Sequence, residues 1–242
     1  MDKKKKLVFQ LDTPYSAVSW PEISLHDQET ILELLCTFLA PLGHYRSKYI
    51  QPSKGKRAKK RKHTESSDQA AVLQPPPRPE LSSYVDVGLS AVTRCLQNAA
   101  SQGRDLKSSV ELDDTSEKDR LARLYSVIFV ARSGQPSILN NHLPQMVAVA
   151  SKAHPSRTPI RLVGLSKACQ DRLSESVGIP RVSYIGLYED APNSKPLVDF
   201  VRQHVPAIEA TWLEEASRAE YRETNINVIE TFIGSKKQRT KG

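Results

Sequence analysis

Apolar residues recur at helical spacing early in the chain. Ile31, Leu34, Leu35, Phe38 and Leu39 form one stripe. Ser24-Leu25-His26-Asp27 reads as the start of that helix, with Ser24 accepting from the backbone of Asp27. Pro41-Leu42-Gly43 reads as its stop. An extended piece around Lys6–Leu11 comes before it. From about Tyr84 helical and strand patterns alternate. A helix follows Gly88, with Ala91, Val92, Cys95, Leu96 and Ala99 on one face and Gly103 as its end. Ser126–Ala131 is short, apolar and β-branched, which favours a buried strand. Short helical patterns follow at Pro136–Asn141 and Pro144–Ala153, then a strand at Ile160–Leu165 and a helix from Ser166 to about Ser176. The strand Val182–Leu187 leads to a last helix over Lys195–Ile208, with Leu197, Phe200, Val201, Val205 and Ile208 inward. Asn225–Phe232 reads as an edge strand. Buried strands alternating with helices predict an α/β fold, a three-layer α/β/α sandwich with a mixed central sheet.

This pattern divides the chain into five parts. Residues 1–23 are a basic arm with an edge strand, and 24–45 the first helix of the domain. Residues 46–83 are a basic and proline-rich linker, 84–212 the α/β/α body, and 213–242 a strand with a basic tail. Within the linker, like charges repel, prolines break regular structure and little apolar surface offsets the ordering entropy, so disorder is expected there and in the tails. There is no run of eighteen apolar residues to span a membrane, and no apolar stretch of a secretory signal near Met1. Cys36, Cys95 and Cys169 stand far apart without CxxC spacing and read as separate reduced thiols.

The net charge of +8 matters once it is located. Fifteen of the thirty-five basic residues lie in three short runs. These are Lys3–Lys6; the run Lys54, Lys56, Arg57, Lys59, Lys60, Arg61 and Lys62; and the tail Lys236, Lys237, Arg239 and Lys241. The remainder of the chain is slightly acidic. Such arms suit neutralisation of RNA phosphates, which needs charge but little fixed geometry. The run at 54–62 reads equally as a nuclear-import signal.

Enzyme chemistry finds no support in the pattern. The six histidines are scattered, and none has metal-ligand spacing. The acids between Glu111 and Asp119 read as a solvated loop. No phosphate-cradling or dinucleotide-binding glycine motif is present, so neither catalysis nor a cofactor or metal is expected.

Three ordered segments carry more information: Val87–Leu96, Ser126–Ala131 continuing through Gln135–Pro144, and Ile160–Ala168 running on to Ile179. Together they resemble the superfamily of kink-turn-binding ribosomal and snoRNP proteins, and within it the Pop-three family of ribonuclease P and ribonuclease MRP subunits. The likeness covers about half the chain. It implies a non-catalytic subunit, nuclear and nucleolar, that binds ribonuclease P and MRP RNA and neighbouring protein subunits during precursor tRNA and rRNA maturation, with no membrane partner.

The resemblance also names residues. The superfamily's Gly-x-Asn-Glu-x-x-Lys turn maps onto Gly88, Ser90 and Arg94, where glycine admits close backbone approach and a helix start offers free N–H donors. Ser90 and Ala91 replace the asparagine and glutamate, which implies weaker reading of base edges with phosphate contacts retained. A second loop contributes Gly164, Ser166 and Lys167. Ordinary local roles fit as well: Gly88 as a helix-start turn, Ser166 as an N-cap, His142 as a half-buried structural histidine. Two other functions stay open: a kink-turn protein of a snoRNP or ribosome, and a protein-interaction adaptor that meets RNA only through its tails.

Overall fold

Strand β3 (Tyr125–Ala131) is buried at every position, so it must be covered on both faces. It lies inside a four-stranded sheet of order β2-β5-β3-β4, with β2 at Val85–Val87, β4 at Arg161–Leu165 and β5 at Tyr184–Tyr188. β3 pairs with β4 in parallel and with β5 antiparallel, and β2 pairs antiparallel with β5, so the sheet is mixed. The chain is described here as a computed structural model covering residues 5–15, 18–50, 76–102, 123–132, 139–166, 168–218 and 222–232.

Side-chain alternation assigns the layers. Val127, Phe129, Val163, Leu165, Ile185 and Leu187 share a core with helices α1 (Leu25–Tyr49), α4 (Cys169–Val177) and α5 (Lys195–His204). Ile128, Val130, Leu162, Tyr184 and Tyr188 pack with α2 (Leu89–Gln102) and α3 (Leu143–Ala153) on the opposite face. The result is the α/β/α sandwich that the sequence pattern predicts. One irregularity matters. The register advances two residues on β3, Tyr125 to Val127, against one on β5, Tyr188 to Leu187. Ser126 is the extra residue of this bulge, and its hydroxyl donates to the Leu187 carbonyl at 3.3 Å. The bulge turns Tyr125 to the α2/α3 side, where its ring covers Gly186.

Helix α1 begins as expected, with Ser24 accepting from the Asp27 amide at 3.1 Å. Its end differs. Pro41-Leu42-Gly43 does not stop the helix, which continues to Tyr49. Pro41 costs one backbone hydrogen bond, but docking against α4 outweighs that loss. A Cβ on Gly43 would stand 2.4 Å from the Ser176 carbonyl oxygen, so the glycine is there for close approach between helices. Gly178 (φ 70°) closes α4, its amide and that of Ile179 returning to the Glu175 and Ser174 carbonyls at 3.1 Å each. Arg46 then donates to the Val177 carbonyl at 3.1 Å across the same junction.

Both ends of the stretch read as linker are structured: Arg46–Tyr49 extend α1, and a 3-10 turn at Glu80–Ser83 buries Leu81. The cations at 54–62, the acidic loop 105–119 and Gly103 lie outside the described residues. Most of the short helix expected at Pro136–Asn141 does too, with a 3-10/turn start at Leu139–Asn140 inside.

The chain forms two compact units. One runs from Ser19 to Glu209 and holds the sandwich. The other joins the described residues up to Val18 with those from Ala210 onward. In it, Asn225–Phe232 is a strand, β6, but it does not edge the main sheet; it pairs antiparallel with β1 (Lys5–Asp12) in a separate two-stranded ribbon. A short helix, α6 (Thr211–Ser217), precedes β6. A two-stranded pairing between the chain's two ends has no periodic signature, because each strand reads locally as an isolated extended segment.

Candidate nucleic-acid interface

The two segments named as RNA-facing lie along the edge formed by the strand ends at one end of the sheet, on its two outermost strands. Val87 pairs with Ile185, Val130 with both Tyr184 and Gly164, and Ala131 with Leu165. The amide of Gly88 donates to the Tyr184 carbonyl and that of Ala131 to the Ser183 carbonyl, each at 2.9 Å. The ends of β2, β3 and β4 and the start of β5 therefore form one row. Gly88 and Gly164 lie three inter-strand spacings apart, about 14 Å.

Gly88 sits at φ 107°, a conformation that a side chain resists, and nothing stands within 4 Å of where a Cβ would be. Its carbonyl accepts from Val92 at 3.2 Å, which begins α2. The amides of Leu89, Ser90 and Ala91 come before the first helical donor, that of Val92, and carry the positive end of the helix dipole. Ser90 and Arg94 are both exposed and, four residues apart, share one face of α2. This turn thus offers an open backbone, helix-start amides that precede the helical ladder and a guanidinium one turn away.

The second segment is built differently. Gly164 is covered by the chain itself: a Cβ there would lie 3.3 Å from Arg132 Cδ and 3.5 Å from Trp20 Cε3. Its small size admits the stack in which the Arg132 guanidinium lies 4.9 Å from the centroid of the Trp20 ring. Ser166 is not the N-cap of α4; Ala168 holds that position without a side-chain bond. The Ser166 hydroxyl instead lies 3.2 Å from the Cys169 thiol, and its carbonyl accepts from the Cys169 amide at 3.1 Å. Lys167 lies outside the described residues, as do the tail cations Lys236, Lys237, Arg239 and Lys241.

Two cations at this edge escaped the sequence reading. Arg132 follows β3 directly and is exposed above Trp20, a partner 112 residues away that no local pattern reveals. Arg181 is exposed at φ 59° in the loop leading into β5. His142 is half-buried at the start of α3, where its carbonyl accepts from Met146 at 3.0 Å. Nearby, Asn140 is buried and accepts from the Tyr184 hydroxyl at 2.6 Å.

A polar cluster anchors the strand that presents Gly88. Asp86 on β2 accepts from the Tyr125 and Tyr188 hydroxyls at 2.7 Å each through one carboxylate oxygen. The two rings lie 4.6 Å apart. Burial, followed by the field of Cys95 and Asp86, pushes the Tyr125 phenol far above its ordinary value. Burial, then the hydrogen bond to Asp86, does the same for Tyr188. Burial raises the Cys95 thiol as well. Three-residue β2 was not legible in the sequence, since Val85-Asp86-Val87 is too short to show a period. Among the described residues no group of three or more His, Cys, Asp and Glu side chains is placed to hold a metal ion, and no helix is long and apolar enough to cross a membrane.

Residues 70–215 match the family model of the RNase P subunit Pop3. The chain belongs to that family. The match spans more than half of the sequence and takes in the whole four-stranded sheet, Gly88, Arg94 and the β4–α4 junction. No curated protein matches the chain. Membership of the Pop3 family makes the chain a ribonuclease P protein subunit, connected with tRNA processing and with RNA and protein partners in that complex. An accessory, non-catalytic part agrees with this assignment.

Proposed function

We propose that this Pop3-family subunit binds RNA directly, in both ribonuclease P and ribonuclease MRP, and supports precursor tRNA and rRNA maturation in the nucleolus. On this reading the domain is a divergent relative of the kink-turn-binding proteins. The observation that carries it is the β2–α2 turn: Gly88 at positive φ with open space around it, followed by exposed Ser90 and Arg94 in the first turns of α2. Such a turn fits a phosphate, because anions are favoured at helix amino ends and a guanidinium can pair with phosphate oxygens in a fork. Ser90 brings one hydroxyl where the kink-turn pattern has an amide, so it positions a backbone more than it reads a sequence. Arg132 and Arg181 extend the positive edge, and Gly164 and Ser166 shape its floor. The runs at 54–62 and 236–241 add phosphate contacts of low geometric demand and serve nuclear import.

Arg94→Ala in the full chain is the test. Binding to a transcript of ribonuclease P RNA is expected to weaken by about 1–3 kcal/mol, as for a charge-assisted contact. Arg94→Lys should recover part of it, since the charge returns without the fork. Unchanged affinity in Arg94→Ala would remove this turn from the interface and favour the adaptor that meets RNA through its tails alone.

A further inference from the structure

We infer that the end of the sheet opposite Gly88 is a docking site for a neighbouring protein subunit, whose Asp or Glu carboxylate is taken by Arg202 beside Arg161. The inference goes beyond the RNA-binding reading above and does not depend on it.

Topology brings the site together. Arg161 opens β4 and pairs with Val127 near the start of β3, and Val127 pairs in turn with Leu187 near the finish of β5. That row lies about 13 Å along β3 from Ala131 and the end that holds Gly88. Leu162 packs towards α2 and α3 and Val163 towards α1, α4 and α5, so alternation puts Arg161 on the α5 face. Arg202 is on α5 itself. A cleft of about 770 Å³ opens here, lined by Arg157, Thr158, Lys195 and Arg202 and reaching the bulge residue Ser126.

The two guanidiniums are poorly matched within the chain. Nε and Nη1 of Arg161 and Nε of Arg202 are buried without a hydrogen-bond partner among the described residues. Arg202 Nη2 donates to the Thr158 hydroxyl at 2.8 Å, a neutral and exposed acceptor. No carboxylate of the described residues forms an ion pair with either arginine. Glu189, also on the cleft, is already held by Arg157 at 3.1 Å. Burial, then the nearby charge of Arg202, holds the Arg161 guanidinium below its ordinary value. Like charges kept close and half-buried without a counter-charge destabilise a fold, and a carboxylate from outside relieves both the repulsion and the unmet donors.

Charge selects the occupant. Arg157, Lys195 and Arg202 on the cleft are matched by Glu189, Asp190 and Asp199. Three cations against three acids leave no net field to draw in a polyanion, and exposed Asp190 and Asp199 repel an RNA backbone. A protein segment meets both signs, with its acid at Arg202 and a Lys or Arg beside that acid at Asp190 or Asp199. Arginine takes a carboxylate in a two-bond fork. A rotation of the long Arg202 side chain presents its Nε edge to the cleft, and the bond to Thr158 is exchanged for that charge-assisted fork. The occupant is accordingly an acidic segment of another protein subunit, with a basic residue close to the acid.

The test places a photo-crosslinking amino acid at Lys195, exposed on the cleft, in the tagged full chain in its own cells. The expected product is a crosslink to a protein subunit of ribonuclease P, at a peptide that contains Asp or Glu. Arg161→Met with Arg202→Met should reduce that crosslink about tenfold or more, since a charge pair loses its cation. Arg202→Glu should abolish it, and changing the acid of the crosslinked peptide to Lys should restore it. Two measurements on the purified full chain separate docking from folding and from RNA contact. The double Met variant should melt at the temperature of the parent or above it, because two cations that repel each other are gone. It should also bind a transcript of ribonuclease P RNA as the parent does, in contrast to Arg94→Ala. A crosslink to RNA, or none to a ribonuclease P protein, overturns the inference. So does a double Met variant that melts well below the parent, which would mean that the arginines are satisfied within the chain. Loss of transcript affinity in that variant overturns it as well, by making the cleft a phosphate site.

Discussion

Gly43→Ala is expected to destabilise the chain by about 2 kcal/mol or more, the cost of overpacking a tight helix contact. The sign is the informative part. In an open helix the same change stabilises by about 1 kcal/mol, because alanine is the better helix former. Here the added Cβ would meet the Ser176 carbonyl oxygen at 2.4 Å and the carbonyl carbon at 2.9 Å. Both atoms are backbone, and α4 is held there by its Gly178 cap and by Arg46. The helices must move apart, loosening the contacts of Leu39 and Leu42 with the core. Thermal or denaturant unfolding of the variant measures this directly. A rise in stability would mean that α1 does not cross α4 as closely as described.

Asp86→Ala carries the other large effect, a loss of about 3 kcal/mol. Two tyrosine hydroxyls donate to one carboxylate oxygen, and both rings are almost wholly buried. Removing the acceptor takes the carboxylate partner from two buried donors and leaves only the weakly bonding Cys95 thiol beside them, each loss costing about 1–3 kcal/mol. Asp86→Asn keeps an acceptor and should cost much less. The same cluster limits the fold at alkaline pH. The folded-state phenol values of Tyr125 and Tyr188 are raised above the ordinary 10.0. Their contribution is complete below pH 10 and is lost as pH rises above it, when the unfolded chain releases protons that the folded one keeps. Stability should therefore stay flat for these groups through neutral pH and fall above 10, by up to about 1.4 kcal/mol per pH unit for each tyrosine. Tyr125→Phe with Tyr188→Phe should shed most of that alkaline slope in a pH series of unfolding curves.

Much of the architecture was legible in the sequence because its elements announce themselves locally. The β-branched run at Ser126–Ala131, the Ser24 cap and the apolar spacing of α2 each depend on neighbours within a few residues. What could not be read depends on distant partners. Pro41-Leu42-Gly43 looks like a stop until α4 is placed beside it, and then Gly43 is a contact residue. Strand β2 is three residues long and owes its existence to pairing with β5. The β1–β6 ribbon joins segments separated by nearly the whole chain.

The site divides in the same way. Gly88 shows why glycine stands there, since its positive φ belongs to the local turn that starts α2. Arg94 follows from helix spacing once that start is fixed. Gly164 reads identically in sequence but serves another end, because it accommodates Trp20 and Arg132. Arg132 and Arg181 join the edge only through the strand order β2-β5-β3-β4, which no linear pattern contains.

Affinity purification of the tagged chain from its own cells, with sequencing of the RNA that accompanies it, tests the central claim most directly. Strong enrichment of ribonuclease P RNA together with ribonuclease MRP RNA is the expected result. Recovery of neither RNA, or of box C/D snoRNA or ribosomal RNA alone, would contradict it.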